Sequence, residues 1–236
     1  EARRLCDDIN TMLDQTAAWQ FPSRELVLTP VEGVTVSYEH ARIAALTAMR
    51  QGQCRVIIAS IEALLQPTIA PEALEEHTLV LHCGEQIERD ALIQKLIFGG
   101  YVRSESVSGA GQFSVRGDIL DIFPVQCTAP IRLELWGDEI DTLTQFDPET
   151  QRRTQAVEEL RIPPARETLF QPEELAEKLR THARSLRGKY AEAAKKKLCD
   201  DAKKIDAGIV PVYLEKYAPL LREKATLLLD YGVQAV

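Results

Sequence analysis

The chain has 236 residues, of which 45% are hydrophobic and 27% are charged, as is typical of a soluble protein with one large domain or roughly two to three small ones. Its formal net charge of −8 argues against general adhesion to nucleic acid, so any DNA contact should be local. The five cysteines form no CxxC pair, which favours a reducing cytoplasm over a disulfide or zinc framework, and no apolar run reaches the roughly 18 residues of a membrane span. The first residue is Glu1 rather than methionine, so we expect the chain to be a fragment.

Helices and short apolar strands are predicted to alternate over the first part of the chain. Apolar residues recur at helical spacing from Glu1 to about Trp19 and again over 38–50, and Leu26–Leu28 is a short predicted strand. The runs at 55–59 and 78–81 are rich in apolar residues, as in buried parallel strands. This alternation predicts an α/β layer, with an irregular α+β domain as the alternative.

After a predicted helix over 88–98, the pattern changes to short strands separated by turns. We predict five strands that pair antiparallel with their neighbours, at 103–107, 111–116, 119–123, 131–136 and 139–146. An apolar segment at 157–162 and the following Pro163–Pro164 mark the exit from this small α+β module.

The last part of the chain is predicted to be largely helical. Pro172 followed by two glutamates is typical of a helix start, and we expect the helix to break at Gly188. A segment over 213–224 and a candidate strand at 226–229 close the chain. The predicted organisation is the first part of an α/β domain over 1–82, an inserted α+β domain with an antiparallel sheet over 83–163, and a helical return segment over 164–236.

The strand predicted over 131–136 carries two side chains suited to partner binding. Its alternating pattern gives it a core face of three aliphatic residues, Ile131, Leu133 and Leu135. Arg132 and Trp136 lie on the opposite face, and these two residue types are enriched among interface anchors. The sequence therefore predicts a partner-binding surface, with burial of Trp136 under a neighbouring domain as the alternative.

The sequence shows no motif for catalysis or nucleotide binding. The only Gly-Lys pair, Gly188–Lys189, has Ala183 where a phosphate-binding loop needs its first glycine. The four histidines are not spaced as metal ligands or as a general base. We therefore expect no catalysis, no cofactor and no metal in this chain.

The segment Lys178–Lys204 is rich in lysine and arginine and is the strongest local basic patch. DNA or an acidic protein surface would fit it, although no aromatic residues interleave with the basic ones to stack bases. A DNA-binding module that uses this helix is one alternative function, and a solvated helix face is the other explanation of its charge.

Four ordered motifs carry a resemblance to a known family: FSVRGDILDIFP from Phe113, IRLELWGDEID from Ile131, FDPETQR from Phe146 and IPPARE from Ile162. With further matches from RVIIAS to ATLLLDY, nearly the whole chain resembles the amino-terminal part of the bacterial transcription-repair coupling factor. That part is similar to the excinuclease component UvrB, but the segment 20–33 is short here and lacks the tyrosines of the DNA-inserting hairpin of UvrB. A damage-binding ATPase like UvrB is the alternative.

The resemblance implies a degenerate helicase-like (RecA-like) α/β domain that has lost its phosphate loop and carries an inserted domain that binds the excinuclease component UvrA. It implies a non-catalytic adaptor that recruits UvrA to lesions where RNA polymerase has stalled. The matching partner-binding positions are Arg116, Arg132 and Trp136. For the full-length family it implies a DNA translocase that uses ATP and magnesium and contacts RNA polymerase and double-stranded DNA through other domains.

The resemblance and the strand pattern together predict a binding mechanism. We expect Arg116 and Arg132 to contact acidic groups on UvrA while Trp136 fills an apolar pocket. Truncating any of them should weaken binding by about 2 kcal/mol or more and leave folding intact. The alternative for Arg116 is an internal salt bridge to Asp118 or Asp121.

Overall fold

The computed structural model describes residues 1–24, 37–209, 214–222 and 224–232, which form a mixed α/β protein with several sheets. The chain divides into two compact units. The first unit comprises Glu1–Arg24, Thr35–Glu167 and Thr226–Val236. The described part of the second lies within Thr168–Ala225.

The first unit begins with alternating helices and strands, which are α1 (Ala2–Leu13), β1 (Ala18–Phe21), α2 (Ser37–Arg50), β2 (Val56–Ala59), α3 (Ile61–Leu65) and α4 (Pro71–Glu76). The prediction of one helix reaching Trp19 is wrong, because Trp19 lies on β1. Helix α1 ends where Asp14 adopts the left-handed backbone conformation, with φ of 50°. The Asn10 side chain then accepts hydrogen bonds from the backbone N–H groups of Ala17 and Ala18, at 2.9 and 2.7 Å, which fixes the turn into the strand.

The apolar runs at 55–59 and 78–81 were predicted to lie in one buried layer, but they form strands of two separate two-stranded sheets. Strand β2 is parallel, as predicted for the run at 55–59, but its partner is the unpredicted strand β1, and Val56 on β2 is exposed. The run at 78–81 was predicted to be a parallel strand, and this is wrong: β3 (Leu79–His82) pairs antiparallel with β10 (Glu159–Ile162). The predicted strand Leu26–Leu28 lies outside the described residues.

Helix α5 (Arg89–Phe98) leads into a six-stranded sheet of β4 (Val102–Arg103), β5 (Gln112–Arg116), β6 (Ile119–Ile122), β7 (Ile131–Trp136), β8 (Glu139–Phe146) and β9 (Arg153–Ala156). The strands follow in chain order, and all neighbours pair antiparallel except β4 with β5. The strand predicted at 103–107 is thus shorter than expected and parallel to its neighbour. Strand β9 was not predicted, because its sequence RTQA is polar and exposed at the sheet edge.

The hairpin of β7 and β8 contains a β-bulge. Glu134 pairs with Thr142, whereas the next residue, Leu135, pairs with Ile140, so Asp141 is an extra residue on β8. The extra residue allows Ile140 and Leu143, which are an odd number of positions apart, to be buried together. The buried aliphatic face predicted for β7 is confirmed by Ile131, Leu133 and Leu135.

A buried ion-pair network joins α2 to the end of the first unit. The guanidinium of Arg42 pairs with the carboxylate of Glu167, and both side chains are fully buried. Arg24 Nη1 lies 3.6 Å from Glu167 Oε2 on another side of the same carboxylate. The guanidinium of Arg42 also lies 3.9 Å from the centre of the Phe21 ring. Burial lowers the pKa of Arg42, and the attraction of Glu167 offsets part of that effect.

The second unit is built on two helices, α6 (Pro172–Ser185) and α7 (Ala191–Asp206), followed by a short 3-10 turn (Leu214–Tyr217) and α8 (Ala218–Leu221). The predicted break near Gly188 is confirmed, since this residue has φ of 106° in the turn between α6 and α7. The core of the unit consists of Phe170, Leu175, Ala176, Leu179, Ala202, Ile205 and Tyr217. In the first unit, the strand predicted at 226–229 is wrong, because Thr226 forms a single bridge with Thr68 and Leu228–Tyr231 is a 3-10 turn.

A carboxylate in the second unit should make it sensitive to acid. Burial raises the pKa of Asp201, but hydrogen bonds from Tyr217 and Lys216 outweigh burial and hold that pKa below its ordinary value of 3.8. Such a group stabilises the fold above its unfolded pKa, and the stabilisation is lost as the pH falls through the folded pKa. We expect the protection of the α7 amides, measured as hydrogen exchange relative to the intrinsic rate at each pH, to fall below about pH 4. Asp201→Asn should flatten this dependence, whereas Asp200→Asn, at a more exposed position, should not; equal acid sensitivity of wild type and Asp201→Asn would contradict the assignment.

Candidate partner-binding surface

The outer face of the six-stranded sheet carries the three predicted partner-binding residues. Arg132 and Trp136 lie on β7, on the side opposite its buried aliphatic residues, as predicted. Arg116 ends β5, and its side chain reaches the same carboxylate as that of Arg132. Trp136 lies four residues beyond Arg132, which corresponds to roughly 13 Å along an extended strand. The surface therefore has a charged part around the two arginines and an aromatic part at the end of β7.

Asp121 is the centre of the charged part. This residue lies on β6 between the two arginine-bearing strands, and its side chain is 1% exposed. Arg116 Nη2 donates to Asp121 Oδ2 at 2.7 Å. Arg132 donates from Nε to Oδ1 at 2.7 Å and from Nη2 to Oδ2 at 2.9 Å, which is the bidentate geometry of a strong charge-assisted pair. One buried carboxylate thus holds both guanidinium groups.

Two further contacts hold the Arg132 guanidinium in place. Its Nη2 donates to Gln151 Oε1 at 2.9 Å, and its guanidinium lies 4.5 Å from the centre of the Phe146 ring. Hydrogen bonding to Asp121 raises the pKa of Arg132, so the residue stays charged. Its side chain is 13% exposed. Arg132 therefore mainly supports the surface, and only a small part of its side chain is accessible to a partner.

A tight turn between β8 and β9 places Gln151 beside Arg132. Asp147 Oδ1 accepts from the backbone N–H groups of Glu149 and Thr150 at 2.9 and 2.8 Å. The hydrogen bond from Thr150 lowers the pKa of Asp147, in line with a carboxylate that is favoured in its charged form. Gln151 then adopts φ of 60°, and its backbone N–H donates to the carbonyl of Asp147. The turn over residues 147–151 therefore positions the Gln151 side chain to accept the hydrogen bond from Arg132.

Arg116 is the accessible arginine. Its side chain is 52% exposed, and the internal salt bridge predicted as its alternative is present, to Asp121. A guanidinium has five N–H donors, and the contact with Asp121 uses one of them. Arg116 is therefore oriented by Asp121 and can still donate to a carboxylate of a partner.

Trp136 is the most exposed of the three residues, at 82%. It ends β7 immediately before Gly137, which has φ of 64° in the hairpin turn, and it pairs with Glu139 on β8. The alternative prediction, that Trp136 is buried under a neighbouring domain, is not what this chain shows. A large exposed ring on a rigid hairpin has the features of an interface anchor.

An acidic groove of about 280 Å³ lies beside the hairpin turn. Leu135 and Gly137 line the groove together with five charged residues, which are Glu88, Arg89, Asp90, Asp118 and Asp138. Arg89 Nη1 donates to the carbonyl of Gly117 at 3.3 Å, which joins the start of α5 to the β5–β6 turn. The sign of the charge therefore changes along the surface, from the arginines to the carboxylates.

Sequence reasoning missed three residues that shape this surface. Asp121 was considered only as an alternative partner of Arg116, Glu134 was placed on the same face as Arg132 but given no role, and Gln151 was not considered. Glu134 pairs with Arg153 on β9 and accepts a hydrogen bond from Thr142 Oγ1 at 2.9 Å. Strand register was the missing information, because Asp121 stands directly opposite Arg132 in the β6–β7 ladder.

The described residues offer little support for metal or nucleotide chemistry. No group of three or more histidine, cysteine, aspartate or glutamate side chains in that part of the chain is arranged to hold a metal ion. Gly188 and Lys189 lie in a turn between two helices rather than after a strand, so these residues do not fit a phosphate-binding loop. Among the helices that the structure describes, none combines the length and the apolar character needed to cross a bilayer.

Comparison with known proteins shows what the region that carries the surface is similar to. Residues 79–167 match the family described as UvrB interaction domain, and this range runs from β3 through the whole six-stranded sheet to Glu167. The chain is 28% identical over 239 residues to the transcription-repair-coupling factor of Bacillus subtilis (strain 168), an alignment that covers 98% of this chain and 20% of the relative. It is 32% identical over 201 residues to that of Staphylococcus aureus (strain bovine RF122 / ET3-1), which covers 84% of this chain and 17% of the relative.

The chain spans about a fifth of the length of these curated relatives. The matched residues include Arg116, Arg132 and Trp136, together with Asp121. The resemblance drawn from the sequence motifs is confirmed. The chain is similar to one segment of the bacterial transcription-repair coupling factors, and its residues 79–167 are similar to UvrB interaction domains.

Proposed function

We propose that this chain is a non-catalytic adaptor that recruits the excinuclease component UvrA through the outer face of its six-stranded sheet. The observation that carries the proposal is the exposure of Trp136 and Arg116 on one face of a UvrB interaction domain. Exposed aromatic and arginine side chains on a rigid scaffold are typical anchors of protein interfaces. A role in coupling transcription to repair agrees with the coupling factors to which the chain is homologous.

The contacts of the arginines suggest different roles for the two residues. Arg116 donates to an acidic group of the partner, while Arg132 acts mainly as a positioning residue because most of its surface is covered. Asp121 holds both guanidinium groups in place before binding, so little side-chain entropy is lost when the partner docks. Trp136 fills an apolar pocket of the partner. The expectation that all three truncations leave folding intact is revised for Arg132, because Asp121 would lose its bidentate partner.

We also propose a domain organisation and a cellular location for the chain. The sheet would be an inserted domain over 83–163 within a degenerate helicase-like α/β domain, completed by the segment 164–236. The chain would act in the cytoplasm and contribute binding alone. Use of ATP and magnesium, translocation on double-stranded DNA and contact with RNA polymerase would belong to other parts of a full-length coupling factor.

Titration calorimetry of the chain against UvrA tests the proposal. Trp136→Ala should weaken binding about 30-fold or more, which corresponds to a hot-spot loss of roughly 2 kcal/mol. Its thermal stability should match that of the wild type, because the ring is exposed. Tyr190→Ala is the matched control, since it removes another exposed aromatic ring from the second unit and should bind like the wild type. A folded wild type that does not bind UvrA would overturn the proposal, and so would full binding by Trp136→Ala.

A second pair of variants tests the charged part of the surface. Arg116→Ala should weaken binding, and the loss should shrink as salt is added, because a partly exposed ion pair is screened. Arg103→Ala removes another exposed arginine, from β4 of the same sheet, and should have little effect. Equal effects of the two substitutions would show that only net charge matters and would refute a specific role for Arg116.

A further inference from the structure

The turn between α6 and α7 concentrates positive charge. Residues 184–197 contain six lysines and arginines and one glutamate, in a chain whose formal net charge is −8. The residues at the turn, Arg184, Arg187, Lys189 and Tyr190, are all exposed, as are Lys196 and Lys197 in the second turn of α7. The patch lies entirely within the second unit.

The cations of this patch differ from the other cations of the two helices in their pairing. The other lysines and arginines of the two helices form ion pairs on the helix surface, which are Lys178 with Glu174, Arg180 with Asp206, Lys195 with Glu192, Lys203 with Asp200 and Lys204 with Asp201. Within the described ranges, no carboxylate pairs with Arg184, Arg187, Lys189, Lys196 or Lys197. Ion pairs on a solvated helix face therefore account for the outer parts of Lys178–Lys204. At the turn, the Arg187 guanidinium donates instead to the backbone carbonyls of Arg184 and Leu186, at 2.7 and 2.9 Å, and the other cations of the patch are exposed to solvent.

An exposed aromatic ring stands at the centre of the patch. Tyr190 is 75% exposed, and Lys189 Nζ lies 5.5 Å from the centre of its ring. Lys197 follows Tyr190 by seven residues, which is close to two helical turns and places it on the same side of α7. The prediction that no aromatic residue interleaves with the basic ones is wrong, because Tyr190 lies between Lys189 and Lys195 and its ring is exposed. The ring is therefore accessible to solvent and has the cation of Lys189 beside it.

We propose that this patch, defined by Arg184, Arg187, Lys189, Tyr190, Lys196 and Lys197, binds a single-stranded nucleic-acid segment. The cations contact consecutive phosphates, and the ring of Tyr190 stacks on an accessible base. A single strand fits better than a duplex, because the bases of a duplex are already stacked on one another and closed to the ring. An acidic protein segment would use the cations but would leave the exposed ring without a matching planar group.

Fluorescence anisotropy of the whole chain with a labelled oligothymidylate of about 20 nucleotides tests the proposal, since site sizes of single-strand binders fall below that length. Replacing Arg184, Arg187 and Lys189 together with alanine should weaken binding about tenfold or more at low salt. It should also reduce the slope of log affinity against log salt by about 2, because each phosphate contact contributes roughly 0.7. Tyr190→Ala should weaken binding about fivefold or more, whereas Tyr190→Phe should bind like the wild type.

The matched control removes three paired cations, Lys178, Arg180 and Lys203, so that the net charge changes by the same amount as in the turn variant. This control should keep most of the affinity and the salt slope. The proposal fails if the wild type does not bind the oligothymidylate at low salt, or if the control loses as much affinity as the turn variant. It also fails if Tyr190→Ala binds like the wild type, or if polyglutamate or anionic vesicles compete better than the oligonucleotide.

Discussion

Replacing Glu167 with glutamine should lower the free energy of unfolding by about 3–5 kcal/mol, the usual loss when one partner of a buried ion pair is removed. Glu167 is fully buried and lies against Arg42, which is equally buried, and against Arg24. Its backbone N–H also donates to the buried Glu39 carboxylate at 2.6 Å. Without the carboxylate of Glu167, two buried guanidinium groups would face a neutral amide. Urea unfolding followed by circular dichroism measures the change.

Helix α2 offers an internal control for this substitution. Arg50, at the end of the same helix, pairs with Glu75 on α4, and both side chains are largely exposed. Glu75→Gln should therefore change stability by no more than about 1 kcal/mol. If the two glutamine variants unfolded at the same urea concentration, the buried pair would not hold the end of the first unit to α2.

The second large effect is expected at Asp121. Asp121→Asn should lower the free energy of unfolding by about 2–3 kcal/mol, because a buried carboxylate with two charged donors becomes a neutral amide. The loss should be smaller than at Glu167, since Arg116 is half exposed and water can screen its charge. The substitution should also weaken binding to UvrA, because Arg116 would no longer be oriented.

Asp118→Asn is the matched control for Asp121→Asn, since Asp118 is an exposed carboxylate in the neighbouring β5–β6 turn. It should leave stability unchanged. A double-mutant cycle with Arg132→Ala gives a direct measure of the central pair, for which we expect a coupling energy of about 1–3 kcal/mol. A coupling energy near zero would show that Asp121 and Arg132 act independently, against the geometry of their bidentate contact.

The sequence predicted most helices and most strands of the sheet, because these elements depend on local periodicity. The alternation over 131–136 places aliphatic residues on one face, and the glycines at 99–100 and at 188 mark helix ends. Strand direction could not be read in the same way. The segment at 78–81 has the apolar composition of a parallel strand but pairs antiparallel with β10, a partner about eighty residues away. The polar edge strand β9 carries no apolar signal at all.

The site could be predicted as a set of residues but not as a set of contacts. Arg132 and Trp136 share a strand, so period two was sufficient to put them on one face. Asp121 lies on another strand, and the register that places it opposite Arg132 depends on the β6–β7 ladder rather than on local sequence. Exposure also follows from tertiary packing, which is why the sequence did not separate the covered Arg132 from the open Arg116.

The bulge at Asp141 sets a condition for transplanting this surface by protein design. Suppose that the register of Glu134 with Thr142 continued regularly along the hairpin. Ile140 would then lie opposite Trp136 on the solvent-exposed face, and Asp141 would point into the core beside Leu135. The extra residue reverses both placements. A graft that copies only the three partner-binding side chains onto a regular hairpin would therefore bury a carboxylate and expose an isoleucine. The smallest transferable piece is the β7–β8 hairpin with its irregularity intact, together with the β6 segment that supplies Asp121.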